Sequence, residues 1–316
     1  MKQKFILLDW NIVKALKSPH NDKERDLMFL LQKLQKKYAT PFCESHLRDL
    51  KKGYSADTKP LVDDDLNFLG TLSRNTALII NESGDITTYS PVDPKSAFAQ
   101  LLSKSLDNNS PDLSTVNIPP YEFFVDFSAL ADDHPLKELL GTTNGACTPA
   151  IINAFLKEKY DDIFFDKNTY KIFRNYTPKV LNDITMNSPE MFDKFSLALP
   201  FYEALKLPED KLVDVWKNVT ESWLKQSLGE TIPFGTHLTC AYTMLDMHPA
   251  FYDDLKKKKN TLDNITRDAN MIYYASFAEY LITEDKECYR KAKFIFKAFD
   301  IKTKVMKISE FLATFS

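Results

Sequence analysis

Short apolar runs separated by longer amphipathic stretches mark both ends of this chain. Phe5-Ile6-Leu7-Leu8 is apolar at every position and stops at Asp9. That is the mark of a strand covered on both faces of a parallel sheet. From Asn11 onward Ile12, Ala15 and Leu16 recur at helical spacing until Pro19. The next helix is predicted from Asn21-Asp22, with Leu27, Leu30, Leu31, Leu34 and Tyr38 on one stripe. Glu24 and Asp26 sit early in it and Lys33, Lys36 and Lys37 late, as the helix dipole favours. In TPFCESHLRDLKKG, Pro41 suits a helix start, Leu47, Leu50 and Tyr54 form the stripe, and Gly53 suits a C-terminal cap.

The far end repeats this alternation. Arg267-Asp268 precedes an Ala-rich helix in which Met271, Ile272, Ala275 and Ala278 share a face. Leu281-Ile282-Thr283 reads as a short strand ending at Glu284-Asp285. An amphipathic helix with Tyr289, Ala292, Phe296 and Phe299 follows, then a last strand over Lys304–Lys307 and a closing turn at Glu310-Phe311-Leu312. Helices alternating with short buried strands predict an α/β sandwich around a parallel sheet built from both chain ends.

Between the ends the pattern changes. Thr76–Ile80 and Ile86–Tyr89 suit a hairpin around Ser83-Gly84. From Pro94 on, the spacing is helical, and Asp93-Pro94, Thr148-Pro149, Ser188-Pro189 and Leu207-Pro208 each place proline at or near a helix start. Leu212, Val215, Trp216, Val219 and Trp223 line one helix that ends at Gly229, and both tryptophans read as core. Residues 107–120 are polar and proline-bearing, a predicted exposed loop. The division is therefore a core from 1–75 and 261–316 with a mostly helical insertion over 76–260.

Composition narrows the chemistry. The 316 residues are 44% hydrophobic and 27% charged, which is globular rather than disordered. The net charge of -3 supplies no overall positive field, so nucleic-acid binding would require a local basic patch. Only seven glycines occur, none spaced for a dinucleotide-binding or phosphate-binding loop. Four scattered cysteines, without a CxxC pair, point to free thiols in a reducing compartment. The first residues lack a signal-peptide core and no run reaches a membrane span, so the expected location is the cytoplasm.

Two acids stand out by position. Asp9 and Asp285 each follow a short buried strand, and in open parallel sheets the ligand crevice lies at the carboxyl ends of the strands. Asp49 lies on a helix beside its apolar stripe, and Asp268 opens the helix before the second strand. Taken singly they have plainer roles. Asp268 suits an N-cap, Asp285 suits an N-cap as well as a ligand, and Asp49 suits a solvated surface. Asp9 is hardest to dismiss, because a charge against a buried strand is costly without a partner. Carboxylates converging on one crevice repel each other, and a hard divalent cation relieves that repulsion. Oxygen-only ligands favour Mg²⁺ or Mn²⁺, which lower the pKa of a bound water and offset phosphoryl charge.

At these residues the chain resembles the PIN-domain family (PilT N-terminus-like). FILLDWNIV looks like the family's first strand and Asp-x-Asn turn, with Asp9 and Asn11. SHLRDLKKG resembles its acid-Leu-x-x-Gly helix, with Asp49, Leu50 and Gly53. RDANMIYYASFAEYLITEDKECYRKA is similar to its third and fourth elements, with Asp268, Ala275, Thr283 and Asp285, and KTKVMKISEFL to its terminal strand and ending. The match covers roughly the first and last 55 residues. It implies a PIN-like α/β/α sandwich and a metal-dependent nuclease, acting on RNA ahead of DNA. In it Asp9, Asp49, Asp268 and Asp285 hold Mg²⁺ or Mn²⁺, and Asn11 and Thr283 position the metal shell or the scissile phosphate. Lys286, a basic residue beside these motifs, is a further candidate for positioning the substrate. Relatives often carry a protein inhibitor, and a homo-oligomer is a further partner class.

One departure is the insertion, about 200 residues between the second and third acids. Glu44, a helical turn and a residue before Asp49, is an alternative second acid. Two other functions stay open. A haloacid dehalogenase-type phosphatase also opens with strand-then-Asp, but Asn11 stands where that family has a second Asp. A PIN-like module that binds RNA or protein without cutting would keep the fold alone. Lys51, Lys52, Arg267, Lys286, Arg290, Lys291 and Lys293 are candidate phosphate contacts. The Lys256–Lys259 run reads as a solvated loop, and His46 as a hydrogen-bonding residue rather than a base.

Overall fold

The computed structural model describes residues 3–81, 84–106, 199–252 and 262–315, with short pieces at 123–124, 137, 146–147, 170–171 and 174. The chain forms two compact units, Met1–Asn108 with Arg267–Ser316, and Asn109–Thr266.

In the first unit, β1 (Ile6–Leu8) leads into α1 (Trp10–Lys17) and α2 (Asp22–Leu34), then α3 (Glu44–Lys52) and α4 (Lys59–Ser73). A hairpin of β2 (Ala77–Ile80) and β3 (Ile86–Tyr89) precedes α5 (Pro94–Leu106). The second unit contributes the two-residue antiparallel pair β4 (Phe123–Phe124) and β5 (Ala146–Cys147). It also contains α6 (Leu199–Ala204), α7 (Glu209–Leu228) and α8 (Phe234–Met244). Helix α9 (Leu262–Ala275) returns the chain to the first unit, which closes with β6 (Tyr280–Ile282), α10 (Lys286–Ala298), β7 (Lys304–Met306) and α11 (Ile308–Phe315).

The α/β expectation holds. Strand β6 lies between β1 and β7, parallel to both, so opposite ends of the chain share one small sheet. Single parallel bridges carry it outward from β1. Ala39 pairs with Phe5, and Phe42 with Ala77 at the start of β2. The amides of Ile6 and Leu78 donate to the carbonyls of Ala39 and Phe42 at 2.9 and 2.7 Å. The spatial order is thus β2, residues 39–42, β1, β6, β7. Ile6, Leu8, Tyr280 and Ile282 join a core with residues of α1, α2, α4 and α11. Leu7 and Leu281 turn to the opposite face by the alternation of a strand and are equally buried. The sheet is therefore covered on both sides, which is why its strands are apolar throughout.

Four local expectations are corrected. Pro41 does not start a helix. Residues 39–42 stay extended to bridge two strands, and α3 begins at Glu44. Asp268 is not a cap, because α9 begins at Leu262 and the acid lies inside the helix. The closing turn is a full helix, α11, held by buried Phe311. Residues 76–108 pack with the first unit, through Ala77 and Phe98 in its core, so that unit extends past position 75. The expected loop at 107–120, the proline pairs at 149 and 189, and the 256–259 run lie outside the described residues.

In the second unit Trp216 is fully buried and donates its Nε1–H to the Ala241 carbonyl at 3.1 Å. Trp223 packs on Phe201 with ring centroids 4.9 Å apart but stays half-buried, so Trp216 lies in the core as expected and Trp223 at its edge. Among the described residues no helix is long and apolar enough to cross a membrane.

Candidate functional site

The carboxyl ends of β1 and β6 are adjacent because the strands are parallel neighbours, with Leu8 opposite Ile282. From β1 the chain continues to residues 39–42 on one side, while β6 lies on the other. The two strand ends thus flank a topological switch point, the place where open α/β sheets bind ligands.

Asp9 follows β1 directly. Its carbonyl accepts the Ile12 and Val13 amides and starts α1, and its side chain makes no cap bond. Instead its Oδ2 accepts the Thr283 hydroxyl at 2.8 Å. Thr283, fully buried, accepts in turn the Asp285 amide at 3.1 Å. Asp285 caps α10, its Oδ1 accepting the Glu287 and Cys288 amides at 2.9 Å each. One hydroxyl thus ties together the acids at the ends of both strands. His46 fixes the same turn from α3. Its Nδ1 accepts the Cys43 amide at 3.1 Å, which leaves Nε2 as the donor to the Leu8 carbonyl at 2.7 Å. It is a structural histidine, as the sequence suggests.

The electrostatics show which acids share the crevice. Burial lifts the Asp9 carboxyl to about 6. The Thr283 hydrogen bond opposes this, and the negative charges of Asp285 and Asp49 add to it. Asp49 is also raised by burial, against Arg267, His46, Lys52 and Lys14. Arg267 forms an ion pair with Asp49. Glu44 instead pairs with Arg48 on its own helix at 2.6 Å, so Asp49 is the α3 acid whose charge reaches Asp9.

The structure brings together Asp9, Asp49, Asp285 and Thr283. Asp268 follows Arg267 on α9 and is half-buried. Asn11 is exposed in the first turn of α1, and Lys286 is exposed at the first position of α10. Two basic candidates change role. Lys291 is buried rather than available to phosphates, and Arg267 neutralises Asp49. Sequence reasoning missed Lys14, whose charge acts on Asp49 and whose Nζ lies 5.6 Å from the Trp10 ring centre. Its signal was the spacing of four from Trp10 on a short helix.

Among the described residues no three His, Cys, Asp or Glu side chains form a closed metal-binding group. The donor chemistry nevertheless suits a hard cation. Asp9, Asp49 and Asp285 each use one carboxylate oxygen in the contacts above, which leaves the second oxygen of each for another ligand. No family model, curated protein or solved structure matches this chain.

Proposed function

We propose that the first unit is a PIN-like α/β/α nuclease core and that the chain is a metal-dependent endoribonuclease. The observation that carries this reading is the Asp9–Thr283–Asp285 connection at the switch point between β1 and β6. It sets two acids from opposite chain ends side by side, with the charge of Asp49 in range. Asp9, Asp49 and Asp285 would hold Mg²⁺ or Mn²⁺, with Asp268 as the fourth acid of the set. Bound there, the ion supplies an acidified water and charge neutralisation for phosphodiester hydrolysis.

The side chains divide the remaining work. Thr283 donates to one acid and accepts from the backbone of the other, so it positions Asp9 rather than touching the phosphate. Asn11 and Lys286, both exposed beside these acids in sequence, contact the scissile phosphate and its neighbour. One observation favours a second reading, a PIN-like module that binds without cutting. The Arg267 guanidinium already neutralises Asp49.

The test is cleavage of single-stranded RNA and DNA by the full chain with Mg²⁺ or Mn²⁺. Cleavage of RNA by the wild type and its loss in Asp9→Asn are expected. Tight RNA binding without cleavage under either metal supports the binding module instead. Phosphate release from small phosphomonoesters, with nucleic acids left intact, overturns the nuclease reading.

A further inference from the structure

Helix α10 begins at the residue after Asp285 and buries one side. Cys288, Ala292, Ile295 and Phe296 face the core. The opposite side carries Lys286, Arg290, Lys293 and Lys297, all exposed. At 100° per residue these four fall within an arc of about 60°. They extend for roughly 16 Å along the axis. Glu287 lies outside that arc, about 100° from Lys286. The nearby acids are engaged locally. Glu284 accepts the Ile308 amide at 2.9 Å, and Glu310 accepts the Lys307 amide at 2.7 Å and the Tyr289 hydroxyl at 2.9 Å. Lys293 and Lys307 flank the Tyr289 ring, their Nζ atoms 4.7 and 5.3 Å from its centre, and Lys307 also pairs with Glu284 at 3.8 Å, so the added positive charge on this side is that of Lys293.

A one-sign stripe on a chain of net charge -3 is a local basic footprint. Cations on one helix face normally alternate with acids that pair with them. Here Lys286 and Lys297 make no hydrogen bond or ion pair with the described residues. The stripe starts at the acidic crevice and leads away from it.

We infer that this face of α10 is a track for the sugar-phosphate backbone of single-stranded nucleic acid, holding the strand that runs out of the crevice. The inference rests on the nuclease reading for its direction, but binding by the stripe requires no cleavage. It contributes affinity without base preference, because cations on phosphates carry no sequence information. The four positive charges match a polyanion, and their line matches an extended strand.

The experiment is fluorescence anisotropy of the full chain with two labelled single-stranded RNAs of unrelated sequence. It is run in EDTA from 50 to 200 mM salt. Arg290→Gln/Lys297→Gln is expected to weaken binding to both RNAs equally. Its log–log salt slope should be smaller by about 1.4, or 0.7 per cation removed. The same charge change on α2, Lys23→Gln/Lys33→Gln, should leave the slope at the wild-type value. Thermal melts of each variant keep loss of fold separate from loss of binding. An unchanged slope in the α10 variant overturns the inference. So does a wild type that binds neither RNA, or one whose α10 stripe is needed for phosphatidylserine vesicles but not for RNA. Asp9→Asn separates the two proposals. Retained cleavage in that variant sinks the proposed site around Asp9 and leaves the track standing, whereas lost cleavage with intact binding supports both.

Discussion

Asp9 is held where its charge is unfavourable. Burial and two neighbouring carboxylates raise it from 3.8 to about 6, although Thr283 donates to it. Folding therefore takes up a proton between those two values. The sign follows directly. Near pH 4 the folded chain carries Asp9 protonated at little cost, and the cost grows as pH rises to 6 and stays above it. With 1.36 kcal/mol per pH unit, the loss reaches about 3 kcal/mol at neutral pH. Asp9→Asn keeps an oxygen for the Thr283 hydroxyl and removes the charge. Urea melts are expected to show the variant about 1–3 kcal/mol more stable than wild type at pH 7 and nearly equal at pH 4. Mn²⁺ at pH 7.5 should stabilise the wild type and leave the variant unchanged, because only the charged crevice favours the ion. A variant less stable than wild type at pH 7 would show that the Asp9 charge is not the unfavourable group.

Helix α10 gives Asp285 two roles that one substitution can separate. As an N-cap it accepts two amides, and as a carboxylate it adds to the field on Asp9. Asparagine caps as well as aspartate, and alanine does not. Asp285→Ala should therefore cost about 1 kcal/mol in denaturant melts. Asp285→Asn should remain within about 0.5 kcal/mol of wild type and still lose metal-dependent cleavage. Equal activity in wild type and Asn variant would reduce Asp285 to its cap. The capping pattern of α2 was legible in advance, and Asn21 accepts the Glu24 amide at 3.1 Å as its position suggests. The start of α9 was not. Leu262–Thr266 precede the Ala-rich face, and Arg267-Asp268 resembled a cap only because charge and periodicity change there together.

The first unit is closed by residues far apart in the chain. Phe311, near the C-terminus, packs edge-on against Tyr280 with ring centres 5.3 Å apart and is fully buried. Phe311→Ala should cost about 3–5 kcal/mol. The loss should reach β1 as well, because β1 and β6 form one ladder. In hydrogen exchange, the Ile6, Asp9 and Thr283 amides, all bonded across this sheet, should lose protection by the same free energy. If only the Thr283 amide became labile, the two chain ends would not open as one cooperative unit.

Periodicity alone identified the buried strands at both ends, because an apolar run bounded by an acid has few other readings. It also placed Asp9 and Asp285 at the ends of those strands. Composition and glycine spacing removed the common phosphate-binding loops. Pairing across about 270 residues is not written in any local window. It sets β6 beside β1, makes the Thr283 hydroxyl a link between two acids, and draws Arg267 onto Asp49. The same packing keeps 39–42 extended despite Pro41, and buries Lys291 while exposing the four cations of α10. Local pattern reports which side of an element is apolar. Which charges then meet depends on the partner that covers that side, and the partner is chosen by the fold as a whole.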